Sequence, residues 1–223
     1  MKKIKVEKKL LSTNQQIAEE NRRLFKEKGV AVFNLLSSPG SGKTSLIERT
    51  VSHLQGRLQT AVITGDLQTD RDAQRIARHR VSVKQITTGG ACHLDASMVK
   101  KALPFFPIDE LDLLLIENVG NLVCPAAYDL GEDAKVTIMS VPEGDDKPLK
   151  YPVMFRISEV LIINKVDLLS YTNFDMEQAV KFARQINPAI EVFETSCTTG
   201  TGLEGWYRWL EERVSRLWGA TEK

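Results

Sequence analysis

A short glycine-containing loop, with the sequence SSPGSGKT, occupies residues 37–44. An apolar run precedes this loop and a helical pattern follows it, which is the context that the phosphate-binding motif GxxxxGK(S/T) requires. Gly40 and Gly42 would let successive backbone N–H groups face a phosphate. Lys43 would then reach the β- and γ-phosphates, and the Thr44 hydroxyl would bind Mg²⁺. Ser37 stands where the motif has its first glycine but the GSGKT core is intact, so the predicted nucleotide-binding residues of the loop are Pro39, Gly40, Ser41, Gly42, Lys43, Thr44 and Ser45.

The tetrapeptide NKVD follows a later apolar run and could read the base of a nucleotide. A carboxylate at Asp167 can accept hydrogen bonds from both N1–H and the exocyclic amine of guanine, whereas adenine would leave it unpaired. We therefore predict that Asp167 selects guanine, unless the tetrapeptide serves only as a helix cap. Asn164 would bond the base or brace the phosphate loop, and the Lys165 stem would lie along the base plane. Ser196 and Cys197, after the last apolar run, give a weaker signal for a backbone contact with the guanine oxygen.

Acidic residues follow two further apolar runs. Glu117 is followed three residues later by Gly120, so the carboxylate could hold Mg²⁺ through water while the Gly120 N–H faces a γ-phosphate. Asp66 is a second candidate for the Mg²⁺ shell or for positioning water, and its alternative role is that of an acid at a helix N-terminus. Asp72 is a weaker candidate of the same kind. The predicted catalytic residues are Lys43, Asp66, Asp72, Glu117 and Gly120, and the predicted Mg²⁺ ligands are Thr44, Asp66 and Glu117.

Two cysteines and a histidine supply softer donor atoms. Cys92 and His93 are adjacent in the segment GGACHLD, and Cys124 lies four residues beyond Gly120. Two sulfurs and a ring nitrogen suit Zn²⁺ or Ni²⁺ and are poor ligands for Mg²⁺. Three ligands are one short of a closed tetrahedral site, so the fourth would be water or a residue from a second copy of the chain. The spacing alone leaves open that these residues are buried thiols and a loop histidine.

Seven apolar, β-branched runs must position these residues, and they alternate with amphipathic stretches. The alternation predicts a three-layer α/β fold of the P-loop NTPase kind, with a mostly parallel sheet, helices on both faces and an added N-terminal helix. Ligands of such sheets bind beyond the carboxyl ends of the strands. The predicted strands are Val30–Leu36, Ala61–Thr64, Val83–Thr87, Leu113–Ile116, Val136–Val141, Val160–Asn164 and Ile190–Thr195, and helices are predicted to begin near Gly42, Asp70, Asp95, Asp175 and Gly202.

The N-terminal 28 residues are predicted to precede a GTPase domain at residues 29–223. Residues 1–11 are rich in lysine and are interpreted as a solvated lead. A capping box at Thr13 and Gln16 predicts that the N-terminal helix begins there, and Gly29 is its predicted end.

The composition argues against several classes of function. Thirty basic and 29 acidic residues leave a net charge of +1, so neither a nucleic acid nor an anionic membrane is an expected partner. The apolar runs fall far below the ~18 residues of a membrane span, and the N-terminus lacks the apolar stretch of a signal peptide. We therefore expect a cytoplasmic location. The odd number of cysteines, three, argues against a disulfide framework.

Five segments carry a resemblance to one protein family: SSPGSGKTSLIE, TGDLQTDRDAQRI, TTGGACHLDA, LLLIENVGNLVCPAAYDLGE and INKVDLL. In these segments the chain resembles the HypB GTPases, which assist the insertion of nickel into nickel–iron hydrogenase. The resemblance implies hydrolysis of GTP to GDP, a homodimer favoured by GTP, and a metal site at the dimer interface built from Cys92, His93 and Cys124. It also implies two partners, the nickel chaperone HypA and the precursor of the hydrogenase large subunit. Some members carry an N-terminal cysteine cluster or histidine-rich stretch, and since residues 1–16 contain neither residue type, no separate N-terminal nickel site is expected.

Related GTPases remain as alternatives. The accessory protein for urease and the chaperone of cobalamin enzymes share the nucleotide motifs, but the urease relative has Cys-Pro-His where this chain has contiguous Cys92-His93. A different class is a structural zinc protein that nucleotide merely stabilises. We also expect a γ-phosphate to pull on Gly120 and so reorder Glu117 to Cys124, which would couple nucleotide state to the metal site. Hydrolysis should be slow unaided, because no glutamine stands immediately after the Glu117–Gly120 motif to orient water.

Overall fold

A seven-stranded parallel sheet forms the centre of the molecule. The computed structural model describes residues 2–66, 68 and 70–219. The strands are β1 (Ala31–Ser37), β2 (Thr60–Asp66), β3 (Ser82–Thr87), β4 (Leu113–Glu117), β5 (Ala134–Ser140), β6 (Val160–Asn164) and β7 (Glu191–Glu194). They lie in the order β3-β2-β4-β1-β5-β6-β7, and every neighbouring pair is parallel. The predicted parallel sheet is confirmed, and each predicted strand lies within two residues of its observed bounds.

Helices cover both faces of this sheet, as predicted. They are α1 (Lys2–Lys28), α2 (Lys43–Leu54), α3 (Arg71–Ala77), α4 (Ala96–Ala102), α5 (Lys147–Lys150), α6 (Pro152–Ile157), α7 (Met176–Ile186) and α8 (Leu203–Gly219). Short 3₁₀ turns span Leu103–Phe105, Ile108–Glu110, Cys124–Ala127, Val141–Glu143 and Val166–Tyr171. Helices α2, α3 and α8 share one apolar core on one face of the sheet. On the other face, α1 and α4 share a second core, and α6 and α7 share a third. Three layers result.

The central strand β1 is buried on both faces because its side chains alternate between the two cores. Phe33 and Leu35 join the core beneath α2 and α8, whereas Val32 joins the core beneath α1 and α4. Strand β1 lies between β4 and β5, and Leu35 pairs in register with Glu117. The carboxyl ends of parallel strands meet at one edge, so the loops after β1, β2, β4 and β6 converge there.

The N-terminal helix is longer than the sequence pattern indicated. Helix α1 begins at Lys2, so residues 2–11 are helical and the prediction of a helix start at Thr13 was wrong. The predicted capping residues lie inside the helix. The Asn21 Nδ2 donates to the carbonyls of Ala96 and Leu130, which fixes α1 on the domain. In the described part of the chain, no helix combines the length and hydropathy needed to cross a bilayer.

Candidate functional site

The loop between β1 and α2 has the backbone conformation that its glycines predict. Gly40 and Gly42 adopt φ values of +77° and +98°, a region that favours glycine. A Cβ atom at Gly42 would overlap Nδ2 of Asn164, which donates to the Ser41 carbonyl at 2.9 Å. Asn164 therefore braces the loop from the end of β6. Helix α2 begins at Lys43, so its N-terminus points into the same loop.

Buried polar groups stand where the phosphates and Mg²⁺ were predicted. The Lys43 Nζ donates to the Ser37 hydroxyl at 2.8 Å, and burial lowers the pKa of this lysine although several carboxylates surround it. The Thr44 hydroxyl donates to Oε1 of Glu117 at 2.7 Å. Burial raises the pKa of Glu117 to about 7, against the opposing effect of the Lys43 charge. Its Oε2 has no hydrogen-bond partner among the described residues, so a hydroxyl and a carboxylate oxygen are available to a hard cation.

A cavity of about 480 Å³ opens above this group. Gly120 closes one side of it, since a Cβ there would lie 3.1 Å from Pro39. The sequence-predicted residues that line the cavity are Pro39, Gly40, Gly42, Lys43, Thr44, Ser45, Asp66, Asp72, Glu117, Gly120 and Lys165. Asp66 accepts the Gln68 N–H at 2.9 Å, and Asp72 lies in the first turn of α3. The structure thus brings the predicted phosphate and Mg²⁺ residues together.

Arg75 is a cavity residue that sequence reasoning missed. Its guanidinium donates to Glu48 at 2.6 Å and to the Ser45 hydroxyl at 3.1 Å, and it lies 3.4 Å from Asp72. The i, i+3 spacing of Asp72 and Arg75 was the available signal. This arginine places a cation beside the phosphate loop.

Two of the predicted base-reading residues, Asn164 and Lys165, contact the phosphate loop. The Lys165 Nζ donates to the Gly40 carbonyl at 2.7 Å, and its backbone is left-handed with φ of +63°. Oδ1 of Asp167 is buried and has no hydrogen-bond partner within the part of the chain that the structure describes. Because an unpaired buried carboxylate is costly, this oxygen is suited to a ligand donor.

Ser196 and Cys197 lie beside Asn164, and the cavity lining does not include them. The Cys197 N–H donates to Asn164 Oδ1 at 3.3 Å, and the Ser196 N–H donates to the Thr201 carbonyl at 2.9 Å. Burial raises the pKa of the Cys197 thiol to about 11. Both amides are already paired within the chain, so a base contact from either one would require rearrangement.

The soft donors meet in a second cluster. Ligand atoms of Cys92, His93 and Cys124 all lie within 4.8 Å of one another, and Cys92 Sγ is 3.7 Å from His93 Nδ1. The hydrogen bond to Cys124 and burial together raise the pKa of the Cys92 thiol, and burial lowers that of His93. Tyr128 stacks on the imidazole with ring centroids 3.8 Å apart, which sequence reasoning did not foresee. One chain therefore gathers two sulfurs and a nitrogen, a donor set for borderline metal ions.

Comparison with known proteins agrees with this geometry. A family model described as "CobW/HypB/UreG, nucleotide-binding domain" matches residues 31–194. The chain is therefore a P-loop nucleotide-binding protein of that family. It is 50% identical over 208 residues to "Hydrogenase maturation factor HypB" of Escherichia coli K12, covering 93% of this chain and 72% of that protein. It is 41% identical over 224 residues to "Hydrogenase/urease maturation factor HypB" of Helicobacter pylori J99, covering 99% and 92%.

Two solved structures share the fold. The hydrogenase maturation factor HypB of Archaeoglobus fulgidus superposes with a TM-score of 0.85 at 39% identity, covering 91% of this chain and 99% of that one. HypB of Helicobacter pylori, solved in complex with nickel, gives a TM-score of 0.87 at 40% identity, covering 92% and 96%. The chain belongs to the HypB hydrogenase maturation factors, which confirms the resemblance seen in the sequence.

Proposed function

We propose that this protein is a GTP-hydrolysing metallochaperone that assists nickel insertion into hydrogenase. One observation carries the proposal: the segment Glu117–Cys124 begins in the phosphate cavity and ends in the sulfur and imidazole cluster. A nucleotide and a soft metal ion would thus contact one continuous stretch of chain. The nickel-bound HypB of Helicobacter pylori supports nickel as the cargo, and Zn²⁺ fits the same donors.

Guanine selection would rest on Asp167. Its carboxylate, with one oxygen unpaired, can accept both donors on the Watson–Crick edge of guanine, and Lys165, two residues earlier, bonds to the phosphate loop. Adenine cannot supply this pair of donors, because its N1 is an acceptor. GTP and GDP are therefore the nucleotides that we propose for this site.

Hydrolysis would follow from residues already in place. On arrival of the phosphates, Lys43 would exchange the Ser37 hydroxyl for phosphate oxygens, and the Gly120 N–H would face the γ-phosphate. Thr44 and Glu117 fit Mg²⁺, which when bound neutralises charge on the β- and γ-phosphates. Asp66 and Asp72 would orient the attacking water, whose oxygen bonds to the γ-phosphorus while the bond to the β-phosphate oxygen breaks. Unaided turnover should be slow, of order 10⁻⁴–10⁻² s⁻¹, since no glutamine comes immediately after Gly120.

The assembly that we propose is a homodimer favoured by GTP, in which a second copy completes the coordination begun by three ligands in each chain. The nickel chaperone HypA and the precursor of the hydrogenase large subunit are the proposed partners. Free thiols at all three cysteines suit a reducing compartment, so we place the activity in the cytoplasm.

Phosphate release from GTP by the purified protein tests the hydrolase. Lys43→Ala should abolish release, because no other group replaces the buried ammonium. Lys181→Ala, which removes an exposed lysine from α7, is the matched control and should hydrolyse GTP normally. Retained release by Lys43→Ala would refute the assigned site.

Metal content and molecular size should be measured with GDP and with a non-hydrolysable GTP analogue. We expect Cys92→Ala and Cys124→Ala to lose Ni²⁺ binding and the analogue to favour the dimer. A protein that binds metal but never releases phosphate would instead be the structural zinc protein.

A further inference from the structure

A chain of buried hydrogen bonds runs from the sheet to the metal-binding loop. The Asn34 Nδ2 donates to Glu132 at 3.1 Å, and the Asn118 Nδ2 donates to Asn34 Oδ1 at 3.2 Å. Asn118 Oδ1 then accepts two backbone N–H groups, from Leu94 at 3.0 Å and from Val119 at 2.9 Å. Asn34, Asn118 and Leu94 are almost completely buried.

The direction of every bond in this chain is fixed. The Glu132 carboxylate, held against the Lys135 ammonium, can only accept from Asn34. At the other end, two backbone N–H groups can only donate to Asn118. Each amide between them therefore has one permitted orientation. Because an unpaired buried amide is costly, a shift at one link must be followed by the next or must break the chain.

Asn118 touches both functional loops. It follows the cavity carboxylate Glu117 directly, and the Val119 N–H that it holds immediately precedes Gly120. The Leu94 N–H that it also holds immediately follows His93. The Leu94 side chain packs tightly on Gly65, where a Cβ would lie 2.8 Å from it.

Asn121 makes a second bridge between the same two loops. Its Nδ2 donates to the Cys92 carbonyl at 3.4 Å, and its Oδ1 accepts the Val123 N–H at 2.8 Å, one residue before Cys124. Asn118 and Asn121 therefore flank Gly120 in the chain, and each holds the backbone beside a soft donor. Neither side chain belongs to the predicted ligand set.

We propose that Asn118 and Asn121 are positioning residues that carry the nucleotide state to the metal site. This inference rests on the proposed function, in which a γ-phosphate acts on Gly120. A displacement of Gly120 changes the position of both flanking asparagines. Through Asn118 it moves the backbone beside His93, and through Asn121 it moves the backbone beside Cys92. The contacts of Asn118 and Asn121 therefore shift the segment that carries Cys92 and His93 as well as the segment that carries Cys124. These shifts add to the direct chain connection from Gly120 to Cys124.

The test measures the Ni²⁺ dissociation constant of the full chain by chelator competition in two states. One state contains Mg²⁺ and GDP, the other contains Mg²⁺ and a non-hydrolysable GTP analogue, and the ratio of the two constants reports the coupling. In the unaltered protein we expect a ratio in the range of about 5–150, as for other coupled sites. Asn118→Ser and Asn121→Ala should each reduce it, and the double variant should reduce it further, to the part that the direct chain connection from Gly120 to Cys124 still carries. By reciprocity, the effect of Ni²⁺ on the ratio of GDP affinity to GTP-analogue affinity should fall by the same factor.

Asn187→Ala is the matched control. The Asn187 side chain donates to the carbonyls of Phe155 at 3.3 Å and Ser158 at 2.8 Å and, among the described residues, bonds to neither loop, so its loss should leave the ratio unchanged. If Asn118→Ser does not fold, the Asn121→Ala variant alone tests the inference, because Asn121 is only half-buried. An unchanged ratio in Asn121→Ala, or an equal fall in Asn187→Ala, overturns the inference while nickel binding and GTP hydrolysis stand. A ratio of 1 in the unaltered protein overturns the coupling itself.

Discussion

Replacing Gly131 by alanine should displace helix α1 from the domain. Gly131 has a φ of +94°, and its N–H donates to Asp129 at 2.8 Å. A Cβ atom would lie 2.6 Å from the Ala18 carbonyl oxygen, 2.7 Å from the Asn21 Cβ and 2.9 Å from the Arg22 N. All three atoms belong to the helix itself rather than to a flexible side-chain end. Alanine therefore fits only if α1 shifts.

The cost has two components. Left-handed backbone strain for a non-glycine residue amounts to about 1–2 kcal/mol. Overpacking against a rigid neighbour adds about 1–3 kcal/mol, so the free energy of unfolding should fall by about 2–5 kcal/mol. Gly56→Ala is the matched control, because Gly56 has a φ of +76° and a Cβ there would meet nothing within 4 Å. The free energy of unfolding of Gly56→Ala should fall by only about 1–2 kcal/mol.

Urea unfolding of both variants measures this difference. Any gain from a stiffer unfolded chain is common to the two Gly→Ala changes and cancels in the comparison. Gly131→Ala should also bind Ni²⁺ more weakly than Gly56→Ala, since Asn21 of α1 holds Ala96, three residues beyond His93, and Leu130, two residues beyond Tyr128. Equal unfolding free energies for the two variants would show that α1 does not press on Gly131 in solution.

Three further outcomes are expected. Asp167→Asn should weaken GDP binding by about 10²-fold or more, since hydrogen bonds to charged groups contribute about 1.5–3 kcal/mol each. Inosine diphosphate lacks the exocyclic amine, so its affinity should fall less on this substitution than the affinity for GDP. Burial alone would raise the pKa of the Asp129 carboxyl, but the hydrogen bond and charge of Arg22, with the hydrogen bond from the Gly131 N–H, together outweigh burial and hold the pKa below its usual value of 3.8. The Arg22–Asp129 pair therefore contributes its full stabilisation above pH 3.8 and loses it as the pH falls through the lowered pKa. In that acidic range the acid-unfolding curves of Asp129→Asn and the parent protein should converge, and curves that stay parallel would refute this. With its pKa raised to about 11, Cys197 should react with iodoacetamide at pH 8 far more slowly in the folded protein than in urea, as mass spectrometry would show.

The strands and the phosphate edge could be predicted from the sequence because both follow from local pattern and strand direction. Apolar β-branched runs marked all seven strands, and a parallel sheet necessarily brings the ends of β1, β4 and β6 to one edge. Lys43, Glu117 and Asn164 meet there for that reason. The helix starts predicted near Gly42, Asp70, Asp95, Asp175 and Gly202 each fall one residue before an observed helix.

The start of α1 was missed because charge was given more weight than propensity. The first 28 residues contain neither glycine nor proline, and lysine, glutamate and leucine all favour helix. A lysine-rich segment can therefore continue a helix whose docked part lies further on, at Asn14 and Asn21. Asn118 was missed for a different reason, since its partner Leu94 lies 24 residues away, a distance over which no periodic pattern links the two. Arg75 was missed although its i, i+3 spacing from Asp72 is a local signal, and its bond to Glu48, 27 residues away, has no such signal.

The proximity of the soft donors to the phosphate edge follows from strand order. Strands β3 and β4 are separated only by β2, so their ends lie about 10 Å apart at the usual ~4.8 Å spacing. Cys92 follows the end of β3 by five residues and Cys124 follows the end of β4 by seven, which is ample chain to close that gap. The loop after β4 must first pass Gly120 on the cavity wall before it reaches Cys124. A metal ion bound by the proposed donors between these two loops would therefore be linked to the phosphate edge by the topology of the sheet, and Asn118 and Asn121 connect the same two loops through single hydrogen bonds.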